Sequence, residues 1–169
     1  MSAEITIEPA TEDGQLSEIR QLAHAIWRDH YPGIISPEQI EYMLEAGYNL
    51  DALQRDLTQG QIRYDRALID GTLVGFSAYG PHPDPGALML HKLYVDAGSR
   101  GRGCARKLVE AACDFARAHA YDRIVLRVNK RNHIAIAAYE RIGFTRRGPI
   151  VSDIGGGFCM DDYLMQLDL

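Results

Sequence analysis

Cysteine is scarce in this 169-residue sequence. Cys104, Cys113 and Cys159 are three, an odd number, set far apart and without a CxxC pair, so neither a disulfide framework nor a zinc site is indicated. No apolar run approaches the roughly 18 residues that span a bilayer, and the opening Met1-Ser2-Ala3-Glu4 lacks the basic and apolar stretches of a secretory signal. A cytoplasmic protein with no membrane partner is the expectation. Positive charge is not in excess either: the net charge of −5 argues against broad binding to nucleic acid. Internal repeats, low-complexity tracts and linkers are also missing. With 46% hydrophobic and 24% charged residues, the composition is that of one globular domain covering residues 1–169.

What is present is a regular alternation of strand and helix signals. Residues 5–7 alternate as a short strand that Pro9 should end. Leu16, Ile19, Leu22, Ala23, Ile26 and Trp27 recur at helical spacing behind Thr11 and the acidic pair Glu12-Asp13. Ser36-Pro37-Glu38-Gln39 opens a second helix, with Ser as cap and Pro in the first turn, and residues 49–59 form a third. These three helices read as one lid-like element. Strands at 63–69 and 73–79 flank Asp70-Gly71, a pair suited to a tight hairpin turn. The prolines of residues 81–86 force a loop. A strand at 88–95, an amphipathic helix at 104–119, a strand at 124–128, a helix at 133–142 and two last strands split by Gly155-Gly156-Gly157 complete the chain.

The positive charge that exists is clustered: Arg100, Arg102, Arg106 and Lys107 surround Gly101 and Gly103 at the turn from the 88–95 strand into the next helix. The first N–H groups of a helix lack partners and carry partial positive charge, and glycines let an anion approach closely, so a pyrophosphate fits there. Neither GxxxxGK[ST] nor GxGxxG is matched; the third glycine of the latter would fall at Arg106. Arg100-x-x-Gly103-x-Ala105 does resemble the acetyl-CoA signature of the GNAT superfamily of N-acetyltransferases, Gln/Arg-x-x-Gly-x-Gly/Ala. One strand later, Asn132-x-x-Ala135-x-x-x-Tyr139-x-x-x-Gly143-Phe144 is similar to the second pattern of that superfamily at every named position. The resemblance covers roughly residues 72–145.

It implies a GNAT fold: an α/β (α+β) domain with a central mixed, mostly antiparallel sheet of about seven strands, flanked by helices and splayed between strands 4 and 5. It implies acetyl-CoA as cosubstrate, no metal, and direct transfer to an amine in a ternary complex. Leu93, Tyr94 and Val95 would offer backbone groups to the coenzyme, with the Val95 N–H as oxyanion donor. Arg100, Gly101, Arg102, Gly103, Cys104, Ala105 and Arg106 would cradle the diphosphate. Asn132 would hydrogen-bond the pantetheine or its sulfur end, and Tyr139 would protonate the departing thiolate. Against these stand plainer roles: Tyr139 as a core tyrosine and Asn132 as a helix cap. Cys104 sits where a helix N-terminus could lower its pKa, but that place is allotted to phosphate, so a cysteine nucleophile is not expected.

The general base is not evident. Some members of the superfamily use a Glu on the fourth strand, and residues 88–95 contain none. His91 is the nominee because it shares strand parity with Leu93 and Val95; the alternative is a histidine packed on the sheet. Trp27, Tyr31, Asp161 and Asp162 offer aromatic faces and carboxylates for a cationic substrate, the alternative being core or dimer contacts and solvated turn residues. The segment from Tyr31 to Met43 resembles that of bacterial members that include polyamine acetyltransferases, which implies a small polyamine-like amine. A protein or peptide amino group is the rival acceptor, and a non-catalytic CoA-binding sensor the rival of another class. A homodimer is expected because dimers are frequent in this superfamily.

Overall fold

The computed structural model describes residues 3–169. Its elements in order are β1 (Ile5–Ala10), α1 (Asp13–His30), α2 (Pro37–Gly47), α3 (Leu50–Thr58), β2 (Arg63–Ile69), β3 (Thr72–Pro81) and β4 (Ala87–Val95). A short 3₁₀ turn (Ala97–Ser99) follows, then α4 (Cys104–Ala118), β5 (Arg123–Asn129), α5 (His133–Ile142), β6 (Thr145–Gly155) and β7 (Phe158–Asp168). The seven strands form one sheet in the order β1-β2-β3-β4-β5-β7-β6. Every neighbouring pair is antiparallel except β4 and β5, which are parallel and joined by the α4 crossover.

Local signals explain most boundaries. Asp70 and Gly71 both take positive φ, 49° and 80°, as a two-residue hairpin turn requires. Ser36 accepts a hydrogen bond from the Gln39 N–H at 3.1 Å and caps α2, with Pro37 in its first turn. At α1 the cap is Glu12: Gln15 reaches back to accept from the Thr11 and Glu12 N–H groups at 2.9 and 3.1 Å. Pro9 does not end β1. The strand runs on to Ala10, with Pro9 opposite Asp65, because β1 is a sheet edge and a residue without an N–H is tolerated there.

Helices cover both faces. On one, Leu16, Ile19, Trp27, Ile40, Leu44 and Leu53 from α1, α2 and α3 pack on Tyr64, Phe76 and Ala78 of β2 and β3. The lid expected from the sequence is therefore a packed layer: Ile19 and Leu53 have no exposed surface. Burying such a side chain contributes about 1.5–3 kcal/mol, which no hinged cover could give up. On the other face, Val109, Ala112, Cys113 and Ala116 of α4 and Ile136 of α5 pack on Leu88, Leu90, Ile124 and Leu126. Cys104 and Leu108 meet Ala67, Ile69 and Val74 nearer the first strands.

Candidate active site

β4 and β5 are paired only at their beginnings, where Ala87, Leu88 and Met89 face Arg123, Ile124 and Val125. Beyond Met89 the strands diverge while each stays bonded to its outer neighbour, β4 to β3 and β5 to β7. The result is a fork with unpaired inner edges. The Asp96 N–H donates to the Val74 carbonyl at 2.7 Å, on the β3 side. Along a strand successive N–H groups alternate in direction, so those of Leu93 and Val95 turn into the fork. A cavity of about 670 Å³ opens there, lined by β4, β5, the first turn of α4, α5, α1 and β7.

The outer end of the fork meets the glycine-rich turn. Gly103 takes φ 92° and precedes α4 without any side-chain cap. The first bond within that helix runs from Lys107 N–H to Gly103 carbonyl, which leaves the preceding N–H groups free to receive an anion. A Cβ at Gly101 or Gly103 would meet no protein atom within 4 Å. Positive φ and an open approach, not internal crowding, therefore account for these glycines. Arg100 and Ala105 line the cavity itself, whereas Arg102 and Arg106 are exposed beside it. The Cys104 side chain turns into the core, and burial pushes its thiol pKa up, opposite to the lowering that its position at the helix start suggests.

α5 brings Tyr139 to the inner part of the cavity. Its ring meets Phe144 edge-on at 5.7 Å, and among the described residues its hydroxyl has no hydrogen-bond partner. Burial, with Tyr31 acting in the same direction, pushes its pKa up, so the phenol carries its proton at any physiological pH. Asn132 caps α5, accepting from the Ala135 N–H at 3.3 Å, and its Oδ1 lies 2.9 Å from His30 Nε2. The helix-cap role is thus present, and the same side chain lines the cavity, where it bonds the buried Tyr31 hydroxyl and opposes the rise that burial gives that phenol's pKa. His30, on the last turn of α1, was not singled out by its sequence context.

His91 also lines the cavity, but not by the parity expected. β3 and β4 pair Tyr79 with Leu90 and Ala78 with Lys92, so His91 is the extra residue of a β-bulge. Leu93 and Val95 pack toward α4, while His91 stays accessible at the cavity wall. Desolvation, against the opposing charge of Asp56 and with Lys92, His82 and Arg127 adding to it, holds its pKa below the usual histidine value and favours the neutral ring.

Trp27 and Tyr31 form the cavity floor. Both are buried, their rings 4.4 Å apart, and the Tyr31 hydroxyl lies 3.1 Å from that of Tyr94. Asp161 and Asp162 part company, because adjacent strand residues face opposite sides. Asp162 is 3% exposed, lines the cavity and has an Oδ1 without any partner among the described residues. Burial pushes its pKa up to about 6. Asp161 lies outside the cavity, in an ion pair with Lys130 at 2.7 Å, which corrects its expected place beside the substrate.

Two further cavity residues carried a faint signal, a cation in the middle of an apolar strand. Lys92 Nζ donates to the Tyr64 hydroxyl at 2.8 Å and the Gly47 carbonyl at 3.2 Å, and sits 4.1 Å above the Tyr48 ring. Burial lowers its pKa to about 8 despite Asp56 at 3.7 Å. Arg127, on β5, donates to Ser152 Oγ at 2.9 Å. Among the described residues no group of three or more His, Cys, Asp or Glu could hold a metal ion, and no helix is long and apolar enough to cross a membrane.

The profile of the acetyltransferase (GNAT) family matches residues 18–144, and the chain belongs to that family. Over 100 residues, 57% of this chain and 61% of the relative, it is 36% identical to N-alpha-acetyltransferase RimI of Mycobacterium tuberculosis. Over 94 residues, 52% of this chain and 31% of the relative, it is 36% identical to mycothiol acetyltransferase of Beutenbergia cavernae. The chain thus spans only part of the length of these relatives. In three dimensions it resembles the PaiA N-acetyltransferase of Thermoplasma acidophilum, solved in complex with coenzyme A. That likeness has a TM-score of 0.81 and covers 98% of this chain and 99% of the other at 22% identity, which shows the shared fold.

Proposed function

We propose that the protein is an acetyl-CoA-dependent N-acetyltransferase acting on a primary amine by direct attack in a ternary complex. The observation that carries this is the continuous path from the uncapped start of α4, along the open edge of β4, to the unpartnered Tyr139 phenol. The diphosphate fits the N–H groups of the turn, with Arg100 beside it. The pantetheine arm fits the fork, where Leu93 and Val95 N–H groups and the Asn132 amide can bond it. Of the two edge donors, Leu93 lies two residues nearer the apex of the fork. It is therefore assigned the carbonyl oxygen of the thioester, and Val95, the donor expected from the sequence, the amide nearer the phosphate.

In the reaction the amine nitrogen bonds to the acetyl carbon and the carbon–sulfur bond breaks. The leaving sulfur takes the Tyr139 proton, which burial keeps on the phenol until then. The proton lost by the amine nitrogen as the amide forms goes to Asp162, whose carboxylate is ionised above about pH 6 and whose Oδ1 lacks a partner among the described residues; that proton then returns through solvent to the Tyr139 phenolate. Asp162 replaces His91 in this role. An orphaned carboxylate attracts and orients the ammonium, which sheds its first proton to solvent, whereas a neutral His91 offers no charge to it. Edge donors aimed at the developing oxyanion supply the electrostatic part of the rate, and the fork supplies alignment.

A polyamine would bring several positive charges to a cavity that also holds Lys92 and Arg127, and this balance disfavours the acceptor implied by the Tyr31–Met43 segment. The 36% identity to RimI supports a second reading, a protein N-terminal amine. Calorimetry with acetyl-CoA, followed by thioester cleavage over a panel of amines, tests the proposal. Uptake in the micromolar range and amine-dependent release of thiol are expected; no uptake would remove it.

A further inference from the structure

Arg127 is the cavity cation that acetyl-CoA binding leaves unused. Arg100 belongs to the phosphate turn, and Lys92 is engaged by Tyr64, Gly47 and Asp56. Arg127 stands on an inner strand of the sheet with its side chain exposed, lines the cavity, and forms no ion pair among the described residues. Among the described residues its side chain makes one hydrogen bond, to Ser152 Oγ, which uses a single N–H and leaves the rest of its planar fork of donors to solvent. Such a fork matches a carboxylate in a bidentate manner.

Its place relative to Asp162 gives the spacing. Arg127 pairs with Leu164 and Asn129 with Asp162, so Arg127 and Asp162 are diagonal neighbours on one sheet face, about 7–8 Å apart at their backbones. Ser152 pairs with Met160 on the far side of β7. The Arg127 side chain therefore runs across β7, past the level of Asp162, toward β6. The two opposite charges line one cavity without an ion-pair contact between them, and Arg127 acts on Asp162 at a distance, drawing its pKa down against burial. His91 lies within electrostatic reach of Arg127 and lines the same cavity.

Resting on the acetyl-transfer reading of this cavity, we propose that the acceptor is a small amino acid type of molecule whose carboxylate is held by Arg127, while its amine is delivered to Asp162. A polyamine carries no carboxylate, and a protein N-terminus carries one a few bonds from its nitrogen only where the first residue is Asp or Glu.

The test pairs each of a series of α-, β- and γ-amino acids with its decarboxylated amine under saturating acetyl-CoA. For at least one pair kcat/KM for the acid should exceed that for the amine by about tenfold or more, the worth of one charge-assisted contact. Arg127→Gln should collapse that ratio toward one through KM for the acid, and Arg127→Lys should restore part of it. Acetyl-CoA affinity by calorimetry checks that each variant is folded. Ratios of one or below for every pair, or a ratio that survives Arg127→Gln, overturn the assignment while leaving acetyl transfer standing. Acetyl-CoA uptake with turnover of peptides alone does the same. Absence of acetyl-CoA uptake by the unaltered protein removes both proposals together.

Discussion

At the donor end of the cavity the chain presents main-chain groups: the N–H groups of Leu93 and Val95 and those at the start of α4. At the acceptor end it presents side chains drawn from α1, β4, β5 and β7: His30, His91, Lys92, Arg127 and Asp162. Backbone donors are fixed by where strands part and helices begin, so they suit the part of the reaction in which the partner is invariant. Side chains can be exchanged without moving a strand, so they suit the part that selects. The difference also appears in protonation. Asp162, Lys92 and His91 all have pKa values displaced by burial, whereas the phosphate turn relies on groups that do not titrate.

That contrast can be broken by substitutions on either side. The largest effect is expected at the meeting point: Tyr139→Phe should lower kcat by about a thousandfold, as loss of a general acid does, with acetyl-CoA affinity unchanged. An unaltered single-turnover rate would assign the phenol to packing instead.

Asp162→Asn comes next, with a loss in kcat/KM on the order of a hundredfold at pH 7. In the parent protein kcat/KM should fall as pH drops below about 6, because the carboxylate then takes up a proton, and the variant should lose that limb. Its stability should move the other way. A carboxyl whose folded pKa is raised stabilises the protein below about pH 4 and loses that contribution as pH rises through about 6. The variant should therefore melt higher than the parent at pH 7 in a calorimetric scan; a lower melting temperature would mean that Asp162 has a structural partner.

Gly103→Val should weaken acetyl-CoA binding by about tenfold or more, since a branched residue at φ 92° costs roughly 1–3 kcal/mol and its side chain stands where the anion approaches. KM for the amine at saturating donor is the control, and a change confined to it would reverse the division between the two ends. The smallest effect is expected for Lys92→Met: about 1 kcal/mol of stability, from lost bonds to Tyr64 and Gly47, without change in acetyl-CoA affinity.

The donor end was largely legible because its requirements are local. Gly101, Gly103 and Arg100 lie within one turn, and Tyr139 lies on the short helix that Asn132 caps, so spacing along the chain is spacing in space. The acceptor end was not. His30 and Asn132 are 102 positions apart, yet their side chains meet at 2.9 Å. Asp161 and Asp162 could not be told apart without knowing which face of β7 turns inward. His91 was misplaced in parity because a bulge depends on how two strands pair, which hydrophobic alternation within one of them does not record.

By itself, then, the order of apolar and polar residues determined the elements, the hairpin at Asp70-Gly71, and the turn that opens α4, since each follows from backbone sterics and periodicity within a few residues. Only the tertiary structure decided that β4 and β5 part beyond Met89, that Pro9 lies on a sheet edge, and that Arg127 and Asp162 share a wall. Those outcomes depend on which strands become neighbours, and that is settled by burial summed over the whole sheet, not by any segment alone.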